Sequence, residues 1–278
     1  MDVHASPTSD GDPEPLVRVE GLSRRFGERV AVAELSFEVR RGELFGLVGP
    51  DGAGKTTTLR MLAGVLRPSA GDAWIGGGDA STGAGVTGAR GERAAGAVAA
   101  NRSKSARAAA SVARDPEAVK RHLAYMSQRF GLYTDLTVRE NLEVARQPPR
   151  DGAPTWSEDK LYALFPNLAA MPDRPGGRMS GGEQQMLTVA RTLMGNPYLV
   201  LLDEPSEGVA PLIVEEMARM IVALKKEGVS VLLSEQNLHF ARLVADRAVV
   251  LEKGEVKFVG AMDALMGDEA LLRAHLSL

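Results

Sequence analysis

The run Gly49-Pro50-Asp51-Gly52-Ala53-Gly54-Lys55-Thr56 constrains this chain more than any other feature, because it meets every specified position of a phosphate-binding loop. The apolar run Leu44-Phe45-Gly46-Leu47-Val48 precedes it and reads as a buried strand; Thr57-Thr58-Leu59-Arg60-Met61-Leu62-Ala63 follows and reads as a helix. A strand, a glycine loop and a helix in that order turn a short pattern into a mechanism. Glycines let successive backbone N–H groups point at one anion, and the helix N-terminus adds partial positive charge. In such a loop Lys55 reaches the β- and γ-phosphates of a nucleoside triphosphate, and the Thr56 hydroxyl sits on Mg²⁺.

The rest of the chain reads as strands alternating with helices. Leu16–Val19 and Leu35–Val39 open the fold as short alternating strands, and Ala73-Trp74-Ile75 is a third. Leu123-Ala124-Tyr125-Met126 leads to Gln128, and Tyr198-Leu199-Val200-Leu201-Leu202 runs into Asp203-Glu204. Further strands are expected near Val231-Leu232-Leu233 and Ala248-Val249-Val250-Leu251. This alternation predicts an α/β fold: a P-loop NTPase core with a mostly parallel sheet, an N-terminal antiparallel β part, and an inserted α-helical subdomain over residues 137–195.

Two stretches fall outside that pattern. Residues 1–14 are polar and rich in Asp and Pro, and read as a disordered tail rather than a signal peptide. Residues 79–114 are almost entirely Ala, Gly, Ser, Thr and Arg, with Val86, Val98 and Val112 the only larger apolar side chains. Such a segment buries too little surface to offset its ordering entropy, so it reads as a low-complexity surface insert. Its basic residues (Arg90, Arg93, Arg102, Lys104, Arg107 and Arg114) offer contacts to acidic lipid or RNA, although a solvated loop is the more economical reading. Residues 15–278, with that insert inside them, read as one domain.

Composition narrows the function classes. A net charge of −3 gives no electrostatic case for nucleic acid, and no nucleic-acid partner is expected. The absence of cysteine excludes disulfides and thiolate metal sites. No apolar stretch approaches the roughly 20 residues that span a bilayer, so a soluble protein is expected.

A second motif, in order along the chain, points to a family. Met179-Ser180-Gly181-Gly182-Glu183-Gln184-Gln185 lies shortly before Asp203, and together with the phosphate loop it resembles the signature sequence of ATP-binding cassette (ABC) transporter ATPases. Ser180 and Glu183 also have the spacing of a helix capping box. The resemblance implies that Gly49 to Thr57 hold the phosphates of ATP, and that Thr56, Asp203 and Gln128 attend Mg²⁺. It implies that Glu204 polarises the attacking water, that Gln128 also senses a membrane partner, and that Phe26 stacks on adenine. In the family two cassettes face each other head to tail, so Ser180, Gly181, Gly182 and Glu183 are expected to act on the partner's ATP. The implied partners are a second cassette chain (in a homodimer or heterodimer), membrane permease subunits and, for an importer, a periplasmic or extracellular substrate-binding protein. The implied location is peripheral, on the cytoplasmic face of the plasma membrane.

Two positions depart from the family pattern. The D-loop reads Ser206-Glu207-Gly208-Val209-Ala210-Pro211 without the usual aspartate, and Gln236 stands where a switch histidine is usual. Gln can donate a hydrogen bond to a γ-phosphate but carries no proton or charge near pH 7. Together with Ser-Gly-Gly-Glu-Gln-Gln-Met, these spellings resemble ATPase subunits of branched-chain amino acid importers. The Pro50-Asp51 spelling and Tyr125 to Tyr133 instead resemble multidrug-type exporter ATPases. The importer marks are more numerous, which makes branched-chain amino acid import the expected role. The alternatives are a multidrug-type exporter and a weakly hydrolysing regulatory cassette. A non-transport cassette is disfavoured, since neither a tandem cassette nor a long coiled-coil insertion is present.

Overall fold

The computed structural model describes residues 15–76, 109–128, 131–208 and 210–276. Two sheets form its frame. The first is four-stranded and antiparallel, in the order β2-β1-β4-β5: β1 is Val17–Phe26, β2 Arg29–Val39, β4 Ala70–Ile75 and β5 Ala110–Ser111. The second is six-stranded, in the order β10-β9-β3-β8-β7-β6: β3 is Leu44–Val48, β6 Leu123–Met126, β7 Leu199–Asp203, β8 Ser230–Glu235, β9 Arg247–Glu252 and β10 Glu255–Ala261. Every pair in it is parallel except the edge hairpin β9–β10. This is the expected α/β architecture with its antiparallel N-terminal part.

Burial follows from the residues. All of β3, β7 and β8 are buried, as suits the central strands of a sheet covered on both faces. At its N-terminal end β1 alternates, with Val17 and Val19 inward and Arg18 and Glu20 outward, because one face alone meets the core. The two sheets close on Val17, Leu22, Leu35, Phe37, Phe45, Leu47, Leu59 and Met61, and Phe37 stacks on Phe45 at 5.2 Å. That face of the parallel sheet is thereby anchored to the antiparallel sheet.

The helices are α1 (Lys55–Leu62), α2 (Pro116–Lys120), α3 (Val138–Ala145), α4 (Glu158–Leu164), α5 (Pro166–Ala169), α6 (Gly181–Leu193), α7 (Pro211–Lys226), α8 (Leu238–Val244), α9 (Met262–Gly267) and α10 (Glu269–His275). Helices α3 to α6 join β7, β8, α7 and α8 in a second core built on Leu142, Trp156, Leu161, Leu187, Val189, Leu193 and Leu224. Helix α3 begins with a full capping box, Thr137 accepting from the Glu140 N–H while the Glu140 carboxylate accepts from the Thr137 N–H. That arrangement satisfies two of the donors that a helix start leaves open.

Two expectations are corrected. Strands β1 and β2 are ten and eleven residues long, not short, because pairing continues past Gly21 (φ 56°) through register irregularities between Val19 and Arg25. The far end of the expected 79–114 insert belongs to the fold. Ala110 and Ser111 pair with Ile75 and Trp74, Val112 is 1% exposed, and the Ser111 hydroxyl donates to Asp72 at 2.6 Å. Small residues can be ordered here because an existing strand edge supplies their hydrogen bonds, which composition alone does not reveal. The expected tail, 1–14, and positions 79–108 of the insert lie outside the described residues, as do Arg129, Phe130 and Val209.

Candidate nucleotide site

Strands β3, β7 and β8 end side by side, and the loops leaving them build one cleft. Gly49 to Gly54 leave β3 and turn into α1. Gly54 caps that helix with φ 103°, a left-handed conformation, and a Cβ there would sit 2.6 Å from the Ala31 carbonyl. A Cβ on Gly49 would lie 2.2 Å from the Leu251 carbonyl oxygen. Both positions therefore require glycine, for backbone reasons. The β9–β10 turn also holds the loop, through Gly254 N–H donating to the Ala53 carbonyl at 3.0 Å.

The cleft has a volume of about 580 Å³ and is lined by Phe26, Arg29, Asp51, Gly52, Gly54, Lys55, Thr56, Thr57, Gln128, Glu204 and Lys253, among others. Phe26, the last residue of β1, is 47% exposed, and the Arg24 guanidinium lies over its ring at 4.5 Å. A half-exposed aromatic ring in the lining of a cleft is a stacking surface for a flat base. Lys55 also lines the cleft and is 3% exposed. Its ammonium donates to the carbonyls of Gly49 and Pro50 at 2.8 and 3.1 Å and pairs with Glu204 at 3.0 Å. A buried ammonium held by two carbonyls and a carboxylate is ready to exchange those partners for phosphate oxygens.

Asp203 ends β7 and is 1% exposed. It accepts from the Thr56 hydroxyl at 3.0 Å, the Ser234 hydroxyl at 2.7 Å and the Tyr125 hydroxyl at 3.0 Å. Burial first, and then Asp203 itself, push the Tyr125 hydroxyl up, so it stays a donor. Thr56, Asp203 and the Gln128 amide offer only oxygen ligands, with a single carboxylate among them. No cluster of three or more His, Cys, Asp or Glu side chains suited to a metal occurs among the described residues. That donor set fits Mg²⁺, which takes one or two carboxylates plus substrate phosphates rather than an all-protein cage.

Glu204 adopts φ 49°, rare for a residue with a Cβ, and its N–H is fixed by the Ser234 carbonyl at 3.1 Å. Such a conformation persists only where the surroundings over-determine it. Its carboxyl lies above the ordinary range, chiefly through burial; Lys55 opposes the shift and Glu207 reinforces it. Glu207 also accepts a hydrogen bond from the Gln128 amide, which joins the D-loop to the loop after β6.

The signature residues line no part of this cleft. Ser180 caps α6 and completes a capping box with Glu183, whose carboxyl is lowered mainly by the Ser180 N–H. Gly181 is exposed, and a Cβ there would meet nothing within 4 Å. Gly182 has a separate reason within its own chain, because a Cβ would lie 2.8 Å from Ile213 on α7. Gln236 is exposed, and Asn237 beside it caps α8.

Sequence reasoning singled out Phe26, the loop, Lys55, Thr56, Gln128, Asp203 and Glu204; the structure brings Phe26, loop residues, Lys55, Thr56, Gln128 and Glu204 into the lining of one cleft, with Asp203 buried against Thr56. It did not name Tyr125, Ser234, Glu207 or Glu235 as site residues. Glu235 is 1% exposed, and burial pushes its carboxyl up to about 7. The proton it gains in the folded state contributes stability that is present below about pH 4.5 and lost as pH rises through about 7. Glu235→Gln has no such slope. The stability of wild type minus that of the variant is expected to fall by up to about 3 kcal/mol between those limits, measured by denaturant unfolding at a series of pH values.

Comparison with known proteins supplies the remaining findings. The ABC transporter family profile matches residues 32–207. The chain is 34% identical to BraG, the high-affinity branched-chain amino acid transport ATP-binding protein of Pseudomonas aeruginosa, covering 94% of this chain and 99% of that one. It is 30% identical to the lipopolysaccharide export system ATP-binding protein LptB of Haemophilus influenzae, over 94% of this chain and 97% of that one. A probable multidrug ABC transporter ATP-binding protein of Escherichia coli, YbhF, is 34% identical over 91% of this chain, which spans only 38% of that protein. Among solved structures, a nucleotide-free ATP-binding cassette from an ABC transporter shares the fold with a TM-score of 0.70 at 21% identity, over 93% of this chain and 98% of that one.

Proposed function

The chain belongs to the ABC transporter family of ATPases, and from that premise we propose that it powers a separate permease that imports branched-chain amino acids. The observation that carries the importer reading is the contact of Ser206 with Glu235, which sets the Ser206-Glu207 spelling beside the Glu235-Gln236 spelling. These importer-like spellings do not lie apart: they meet at the end of β7 and β8, beside Glu204. The full-length match to BraG supports the same reading. A multidrug or lipid exporter is the second reading, favoured by the equal identity to YbhF and by the Pro50-Asp51 loop.

The mechanism follows from the cleft. The adenine of ATP stacks on Phe26 and the triphosphate lies along Gly49–Thr57, where the loop N–H groups and the start of α1 receive its charge. Lys55 exchanges the Gly49 and Pro50 carbonyls and Glu204 for β- and γ-phosphate oxygens. Thr56, Asp203 and Gln128 would hold Mg²⁺, which neutralises charge developing on the phosphates. Glu204, released from Lys55, accepts a proton from the attacking water, and its raised carboxyl suits that task. Gln236 donates a hydrogen bond to the γ-phosphate.

Ser180, Gly181, Gly182 and Glu183 of a second chain cover the same phosphate, so each site is shared by two chains. Closure on ATP and reopening after hydrolysis pass to the permease through the loop that carries Gln128. No helix among the described residues is long and apolar enough to cross a membrane, in keeping with a cassette that docks on the cytoplasmic face of a separate permease. Co-expression with candidate permeases tests the cargo. Co-purification with a branched-chain amino acid permease, with ATP hydrolysis stimulated by its substrate, is expected. The same behaviour with a multidrug or lipid-exporting permease instead would contradict the importer reading.

A further inference from the structure

Glu235 is a buried acid for which the mechanism above has no use. It ends β8, opposite Val48 of β3, and one residue before it Ser234 sits opposite Asp203 of β7. Its carbonyl accepts from the Gly49 N–H at 3.2 Å, which fixes the first residue of the phosphate loop. Its carboxylate accepts from both the N–H and the hydroxyl of Ser206, each at 2.9 Å, and from the Asn237 N–H at 3.3 Å. Asn237 in turn caps α8 through the Phe240 N–H. One side chain, 1% exposed, therefore joins the D-loop, the residues flanking Gln236 and, through its backbone, the phosphate loop.

Stability does not account for this carboxylate. Among the described residues no cation lies within ion-pair distance of it, and Glu204 adds repulsion. A buried carboxyl with neutral donors alone costs more to ionise than an amide of the same shape costs to bury. What the carboxylate provides and an amide cannot is two acceptor oxygens for the paired donors of Ser206.

We propose that Glu235 is a positioning residue that clasps Ser206, so that the D-loop, Glu204 two residues before it, and Gln236 move as one unit when a second chain engages. This inference rests on ATP hydrolysis at this cleft. The clasp acts on the chemical step rather than on nucleotide capture, because none of Ser206, Glu235 and Asn237 lines the cleft.

The test is a double-mutant cycle in the full chain, using Ser206→Ala, Glu235→Gln and their combination, with ATPase kcat, KM and thermal midpoint measured for each. Each single variant is expected to lower kcat about 10-fold with KM for ATP changed less than about 2-fold, and the double variant to be no worse than about either alone. The midpoint of Glu235→Gln should not fall below that of wild type. Unchanged kcat in the single variants would overturn the clasp. So would losses that multiply in the double variant, or kcat and midpoint falling together. A wild-type chain with no ATPase activity would overturn the underlying reading as well, and so separates the two failures.

Discussion

Glu204→Gln is expected to lower kcat for ATP hydrolysis by about 100- to 1000-fold while leaving ATP binding intact, the loss typical of removing a positioned general base. Gln fills the same volume and can still accept from Lys55, so the buried neighbourhood is kept. What disappears is the ability to take a proton from water. The positive φ of Glu204, the Ser234 carbonyl on its N–H and the burial that raises its carboxyl hold the base in place before substrate arrives. ATP bound without turnover should then accumulate a closed dimer, measurable by light scattering in ATP and Mg²⁺. Hydrolysis within about 3-fold of wild type would remove Glu204 from the mechanism.

Lys55→Ala is expected to raise the Kd for ATP by at least about 100-fold, near 3 kcal/mol, measured by isothermal titration. The ammonium is 3% exposed and is held on the phosphate loop itself through the Gly49 and Pro50 carbonyls. Its loss removes charge-assisted hydrogen bonds worth about 1.5–3 kcal/mol each in such settings. The loss also leaves Glu204 without its cation, a negative charge facing an anionic ligand. ATP binding at wild-type affinity would contradict the assignment of this loop to the phosphates.

The parts of the site that were legible in sequence are those made by short, continuous runs. Strand, glycine loop and helix follow one another over residues 44–62, so both the fold class and Lys55 and Thr56 could be read directly. Asp203 and Glu204 were legible because an apolar strand delivers them to the same sheet edge. The Ser206–Glu235 and Gln128–Glu207 contacts join residues 29 and 79 apart, through short polar side chains that carry no periodic signal. Tyr125 and Ser234 escaped notice for the same reason: each reads as an ordinary strand residue until Asp203 is set beside it. Strand β5 was hidden by its composition, since Ala110 and Ser111 are small residues that carry no apolar pattern and pair only once the edge of β4 is present.

The shared site is tested most directly by mixing two inactive chains. Lys55→Ala destroys a phosphate loop and spares the signature; Gly181→Asp does the reverse. At Gly181 a new Cβ meets nothing within 4 Å, and an acid in the first turn of α6 suits the helix, so that variant should fold and fail only by facing a phosphate. A hybrid dimer joins the intact loop of one chain to the intact signature of the other. An equal mixture is expected to recover about a quarter of wild-type ATPase activity, since random assortment makes about half the dimers hybrid, each with one working site. Mixing without any recovery would show that each chain hydrolyses ATP with its own residues alone, and would contradict the account.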